Sequence, residues 1–233
     1  MILAEVMQQL EALGNSTTKN TLLKHGAREP FFGVKVGDLK PLQKKIKKNY
    51  DLSKALYSTG NSDAMYLAGL IADEKAITKE DLQEWVQQAY WYYLSEYTVA
   101  QVAAESAYGW ELALQWIESQ EERIASAGWA TIIHLLSIKP DEELDMPHLQ
   151  LLLSRVADTL QQQPNRVRYT MNGFVIASAT FVPQLAEQAK AVARQVGKVQ
   201  VDMGGTACKV PEALAYIEKA AQRPRRKKKT ARC

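Results

Sequence analysis

The sequence predicts an all-α fold, and three observations carry the prediction. Apolar residues recur at helical spacing along nearly all of the 233 residues. Residues suited to helix capping punctuate that spacing, giving about a dozen segments of roughly 10–20 residues with short links. No sustained period-two run with hairpin dipeptides is present. Two arrangements fit: a compact bundle, or a right-handed solenoid of helix pairs whose repeats are degenerate in sequence.

The N-terminal stretch MILAEVMQQLEALGN is amphipathic. Asp38 is placed to cap LKPLQKKIKK, Asp51 to cap LSKALYS, and Asn61 or Ser62 to cap MYLAGLIAD. Thr78 begins Thr-Lys-Glu-Asp before LQEWVQQAY, with acids in the first turn, where the helix dipole favours them. Gly109 separates VAQVAAESAY from WELALQWIES, and Gly128 lies early in GWATIIHLLS. Asp145 opens the clearest helix: Leu149, Leu152, Leu153, Val156 and Leu160 share one face. Pro147 fits its first turn, where a missing N–H costs nothing, and Gln161-Gln162-Gln163-Pro164 ends it. Asn165 opens a segment through Phe181, and Pro183 the next, through Val196. A loop with Gly204-Gly205 precedes a last helix after Pro211.

Composition is ordinary for a globular chain, 46% apolar and 24% charged. The length suits one well-buried core or one elongated repeat domain. No window approaches the roughly 20 apolar residues that cross a bilayer, and the N-terminus lacks the order of an export signal. Cys208 and Cys233 offer neither metal spacing nor a disulfide framework. The expectation is a cytoplasmic monomer with no membrane association, metal or cofactor. The net charge of +3 conceals an asymmetry. Residues 223–233 hold seven Lys/Arg and no acid, residues 19–54 carry ten bases against three acids, and residues 55–222 carry twelve bases against twenty-one acids. An acidic body with two basic segments suits a polyanion partner. The tail RPRRKKKTARC has little apolar area to bury, so the expected division is a folded domain over 1–222 and a disordered tail over 223–233.

Four segments offer chemistry. In HGAREPFFGVKVGDLKPLQKKIKK, a loop with Gly33 and Gly37 feeds a helix on which Lys40, Lys44, Lys47 and Lys48 share a face. Lysines on such a face, and backbone N–H groups at the helix start, can hold phosphates. In EWVQQAYWYYLSEYTVAQ, Tyr90, Tyr93, Tyr97 and Gln101 form one stripe if the helix continues; aromatics there can stack on bases or simply fill the core. In PNRVRYTMNGFVIAS, Asn165, Arg168, Tyr169 and Asn172 form a polar face opposite Val167, Met171, Phe174 and Val175. In VQVDMGGTACKVPEA, a Gly-Gly turn could position Thr206 and Lys209, but the pattern lacks the G-K-[ST] ending of a phosphate loop. His25, His134 and His148 show no ligand spacing, and His134 reads as a core residue.

The segment FFGVKVGDLKPLQKKIKK resembles the F-x-G-[VI]-x-x-x-x-L-[RK] segment of the DNA alkylation repair (AlkD-like) glycosylase family. The aromatic helix and the pair WELALQWIES–EERIASAGWATIIHLLS, with Trp116 ending a helix and Trp129 in the next, follow in that family's order. The resemblance covers about residues 5–195. It implies a right-handed superhelical solenoid of HEAT-like helix pairs whose basic concave face cradles duplex DNA. It also implies excision of positively charged N3- or N7-alkylated bases through a W-x-x-x-D pattern and an Arg on the following repeat. The best placement of that pattern is Tyr97-Thr98-Val99-Ala100-Gln101, with Gln101 where a carboxylate is expected. The Arg position falls near Ala127 or Gly128, beside Trp129, and a one-turn offset would instead bring in Glu96 or Glu105.

The resulting expectation is a DNA-binding member of that family, for duplex or damaged DNA, with glycosylase activity in question because the usual Asp and Arg are replaced. Lys35, Lys40, Lys44 and Lys47 are the expected phosphate contacts, Arg168 and Asn172 line the groove from the other end, and Tyr93, Tyr97, Gln101 and Trp129 form a degenerate base-proximal site. The rival expectation is a non-enzymatic scaffold that binds a protein partner on the concave face. A third, an enzyme built around Asn172, Lys209 and the Gly-Gly loop, lacks a recognisable nucleophile–base pair.

Overall fold

A computed structural model describes residues 1–222 and 227–232. Among these residues no strand occurs. The helices are α1 (Leu3–Leu13), α2 (Ser16–Lys24), α3 (Val36–Ile46), α4 (Tyr50–Tyr57), α5 (Ser62–Ile71) and α6 (Lys79–Gln88). A π-helical turn, Tyr93–Val99, then runs into α7 (Ala100–Glu105). There follow α8 (Gly109–Trp116), α9 (Glu122–Ile138), α10 (Met146–Thr159), α11 (Asn165–Phe181), α12 (Ala186–Val196) and α13 (Ala213–Ala221). No helix among the described residues is long and apolar enough to cross a membrane.

Local chemistry sets most of the starts. The Asn61 side chain accepts hydrogen bonds from the N–H groups of Asp63 (3.1 Å) and Ala64 (3.2 Å). Thr78 and Asp81 form a reciprocal capping box at α6. Asp145 accepts from His148 N–H at 3.0 Å, with Pro147 in the first turn of α10. Two expected caps shift. Asn49, not Asp51, caps α4, because its side chain is the one that reaches Leu52 N–H, at 3.0 Å. α3 begins at Val36, which places Asp38 inside its first turn, where its charge still complements the dipole.

The helices pack as pairs into a right-handed superhelical solenoid, α4 with α5, α8 with α9, α10 and α12 with α11. α9 joins two stretches of core. Its Ile124 and Ala127 pack with Phe31, Leu56, Leu67, Trp85 and Trp116 of the N-terminal half. Its Trp129, Ile132 and Leu136 pack with Leu153, Phe174 and Leu185 of the C-terminal half. Close approach of α8 to α9 depends on Gly128, where a Cβ would stand 2.7 Å from Ile117 N and 2.9 Å from Ala113 O. α9 thereby lies against α7, α8 and α11, and the π turn lies against α5, α7 and α9.

Candidate nucleic-acid interface

The lysine helix is positioned from below by one carboxylate. Asp63 is buried at the start of α5 and accepts from three successive N–H groups, Phe32 (2.6 Å), Gly33 (2.9 Å) and Val34 (3.0 Å). Gly33 has φ +82°, and a Cβ on it would meet Lys19 N at 2.7 Å, so the loop can press against α2 only as glycine. These N–H groups belong to the loop before α3, not to the helix start at Val36. The lysines remain available. Lys35, Lys40, Lys44 and Lys47 are exposed and enter no ion pair among the described residues. Lys44 and Lys47 border a cleft of about 490 Å³ together with Gln43, Lys48, Thr230 and Arg232.

The aromatic stripe does not survive as drawn. α6 ends at Gln88, Ala89 is extended, and the wider π turn changes the register of the residues after it. Tyr90 lies in the link, where its hydroxyl donates to Arg28 O at 3.0 Å and its ring packs 4.7 Å from the Arg28 guanidinium. Tyr93 stacks on Tyr66 with ring centroids 4.4 Å apart, and Tyr97 is left 36% exposed. Gln101 turns inward to 3% exposure, and Trp129 lies in the core at 1%, 5.3 Å from the Phe174 ring. Neither can face a base; the structure brings only Tyr93 and Tyr97 of that set together, 6.3 Å apart.

His25, Tyr92 and Arg166 border another cleft, of about 230 Å³, and Arg166 belongs to a buried ion pair that the 3.6-residue stripe passes over. Glu96, on the π turn, is 3% exposed and receives a two-pronged contact from Arg166 at the start of α11: Nε at 2.9 Å and Nη2 at 2.5 Å. The guanidinium is sandwiched between the rings of Tyr92 (4.1 Å) and Tyr169 (4.3 Å). The Tyr92 hydroxyl lies 2.8 Å from His25 Nδ1. Glu122 accepts from Arg166 N–H at 2.5 Å, placing an acid at the α11 N-terminus. Burial pushes the Glu96 carboxyl upward, and the Arg166 fork opposes it. Burial likewise raises the hydroxyls of Tyr97, Tyr92 and Tyr169. His134 donates from Nε2 to Glu96 O at 3.2 Å; burial drives its imidazole down to about 4, so it is neutral at physiological pH.

Of the expected groove residues on α11, Arg168 borders a cleft of about 740 Å³ formed with Asn165 and the loop before α13. Asn172 does not reach it: the residue is 2% exposed and donates to Pro211 O at 3.0 Å, tying α11 to that loop. The Gly-Gly loop is pinned too, by Asn165, which donates to Asp202 O at 2.8 Å and accepts from Asp202 N–H at 2.7 Å. Arg166 and Tyr92 carry no assigned role in the sequence reading, whereas His134 reads there as a core residue and is packed as one. The signal was present for Arg166, three residues before Tyr169 and so beside it on the helix. Nothing local marks His25, whose partner lies 67 residues away.

The stacked helix pairs of the solenoid define a HEAT-like repeat protein. The chain belongs to the DNA alkylation repair enzyme family, whose model matches residues 6–217. It is similar to a solved structure described as "a new family of proteins related to the HEAT-like repeat DNA glycosylases with affinity for branched DNA structures", at 40% identity, with a TM-score of 0.93 and 100% of each chain covered. It is 36% identical to an uncharacterized protein of Listeria monocytogenes and 35% identical to one of Listeria innocua, each over 92% of this chain and 95% of the relative.

Proposed function

We propose that this chain binds DNA through its inner face, prefers branched DNA over plain duplex, and does not excise alkylated bases by the family's carboxylate-and-arginine route. The observation that carries the reading is the state of the Glu96 carboxylate. Glu96 is buried and both its oxygens are taken by Arg166. Stabilising a developing sugar cation needs a preorganised, uncompensated negative charge near the base, and a carboxylate already paired offers little. Gln101, at the expected Asp position, is neutral and buried. The exposed lysines of α3 instead suit phosphate contacts, and the exposed ring of Tyr97 suits stacking on an unpaired base. Branch points present such bases, and the affinity of the similar solved protein for branched DNA supports this preference.

The test compares a four-way junction with a duplex of matched sequence, by fluorescence anisotropy at fixed salt, and assays release of 3-methyladenine and 7-methylguanine from methylated duplex. The expected result is tighter junction binding and no time-dependent release above the no-enzyme control. Release that is lost in Tyr97→Ala would overturn the non-excising part. Equal affinity for the two DNA forms would overturn the branched-DNA preference.

A further inference from the structure

The C-terminal basic segment was expected to be unstructured. Residues 223–226 and Cys233 lie outside the described residues, but 227–232 lie along the fold. Arg232 is 9% exposed and sits in a socket at the end of α5 and α7. Its Nη1 donates to the carbonyls of Gly69 (3.2 Å) and Ala72 (2.6 Å), its Nε to Glu105 at 2.7 Å, and its Nη2 to Glu74 at 2.6 Å and to Glu105. Glu105 also accepts from the Thr230 hydroxyl and from the N–H groups of Ala231 (2.6 Å) and Arg232 (3.3 Å). At the other end, Lys228 N–H donates to Ser137 O at 2.7 Å, and Lys227 Nζ donates to Leu136 O at 2.9 Å and pairs with Asp141.

The groups covered by this segment are those that would repel DNA. Glu74, Glu105 and Asp141 are acids, and the free carbonyls at the C-terminal ends of α5 and α9 carry the negative end of the helix dipole. Lys227 and Arg232 satisfy them, while Lys228 and Lys229 keep exposed side chains, in no ion pair among the described residues. The segment lies next to both parts of the proposed interface. Thr230 and Arg232 border the same cleft as Lys44 and Lys47. The charge of Lys228 adds to burial in holding His134 neutral, and His134 donates to Glu96 O. Resting on the DNA-binding reading above, we propose that residues 227–232 form a strap that is a built part of the DNA interface, anchored by Arg232 in the Glu74–Glu105 socket and presenting Lys228 and Lys229 to phosphates.

The test uses the full chain and three variants: Glu105→Gln, Arg232→Ala and Lys228→Glu/Lys229→Glu. Trypsin cleavage after Lys228 and Lys229, followed by mass spectrometry, reads docking; junction anisotropy reads binding. Glu105→Gln discriminates because removing an acid should tighten DNA binding if charge alone mattered. Expected are faster cleavage after Lys228 and Lys229 in both anchor variants, and junction affinity lowered about three- to tenfold in all three. Arg232→Ala, which alters only the segment, keeps the test valid should Glu105→Gln fail to fold. Unchanged or tighter junction binding in the anchor variants would overturn the proposal, as would equally fast cleavage in the unaltered chain. If the unaltered chain binds neither DNA form, the DNA-binding reading fails and the strap has no interface to belong to, whatever the cleavage shows.

Discussion

At the scale of single residues, Glu96 and Arg166 form a buried ion pair. Taking two such charges out of water is costly, and the cost is offset only because both oxygens of Glu96 and the faces of the guanidinium find partners. The pair is therefore expected to be fragile to one-sided change. Arg166→Met should lower unfolding free energy by about 3–5 kcal/mol, read by urea denaturation, because it leaves Glu96 buried without a partner. Arg166→Met combined with Glu96→Leu should recover much of that loss. If the single and double variants prove equally destabilised, the pairing is not the source of the cost.

At the scale of elements, α3 carries the lysines but α5 holds them in place through Asp63. The three N–H groups that Asp63 accepts belong to the turn that leads into α3, so the carboxylate fixes the angle at which the helix leaves the loop. Asp63→Ala should cost about 3 kcal/mol, since it strands buried donors, and should weaken junction binding although no phosphate-facing group is removed. Thermal melts and anisotropy on the same sample check both halves. The π turn acts in a comparable way on the neighbouring element. It breaks the stripe from Tyr90 to Gln101, places Glu96 opposite α11, and leaves Tyr97 at the surface.

At the scale of the whole molecule, net charge is a poor guide to binding, because the acidic excess of residues 55–222 and the basic segments are laid out separately. Phosphate contacts release counterions, so each lost contact should flatten the salt dependence of binding. Lys44→Glu with Lys47→Glu should reduce the slope of log affinity against log salt by about 2 and weaken binding to junction and duplex alike. An unchanged slope would place the phosphate-binding surface elsewhere on the solenoid.

The chain's residues determined the helices by themselves. Caps such as Asn61, Thr78 and Asp145, the apolar face of α10 and the span of α11 arise from interactions within a few residues, which a linear sequence displays directly. The exposed lysines were legible for the same reason. What only the tertiary structure decided is which side chains meet. Glu96 finds Arg166 70 residues on, Asp63 reaches back to residues 32–34, and Glu105 holds Arg232 127 residues away. The same packing put Trp129, Gln101 and Asn172 inside. Helical periodicity gives each residue a face, but burial depends on what the stacked neighbours cover, and a single wider turn is enough to move a side chain from one face to another.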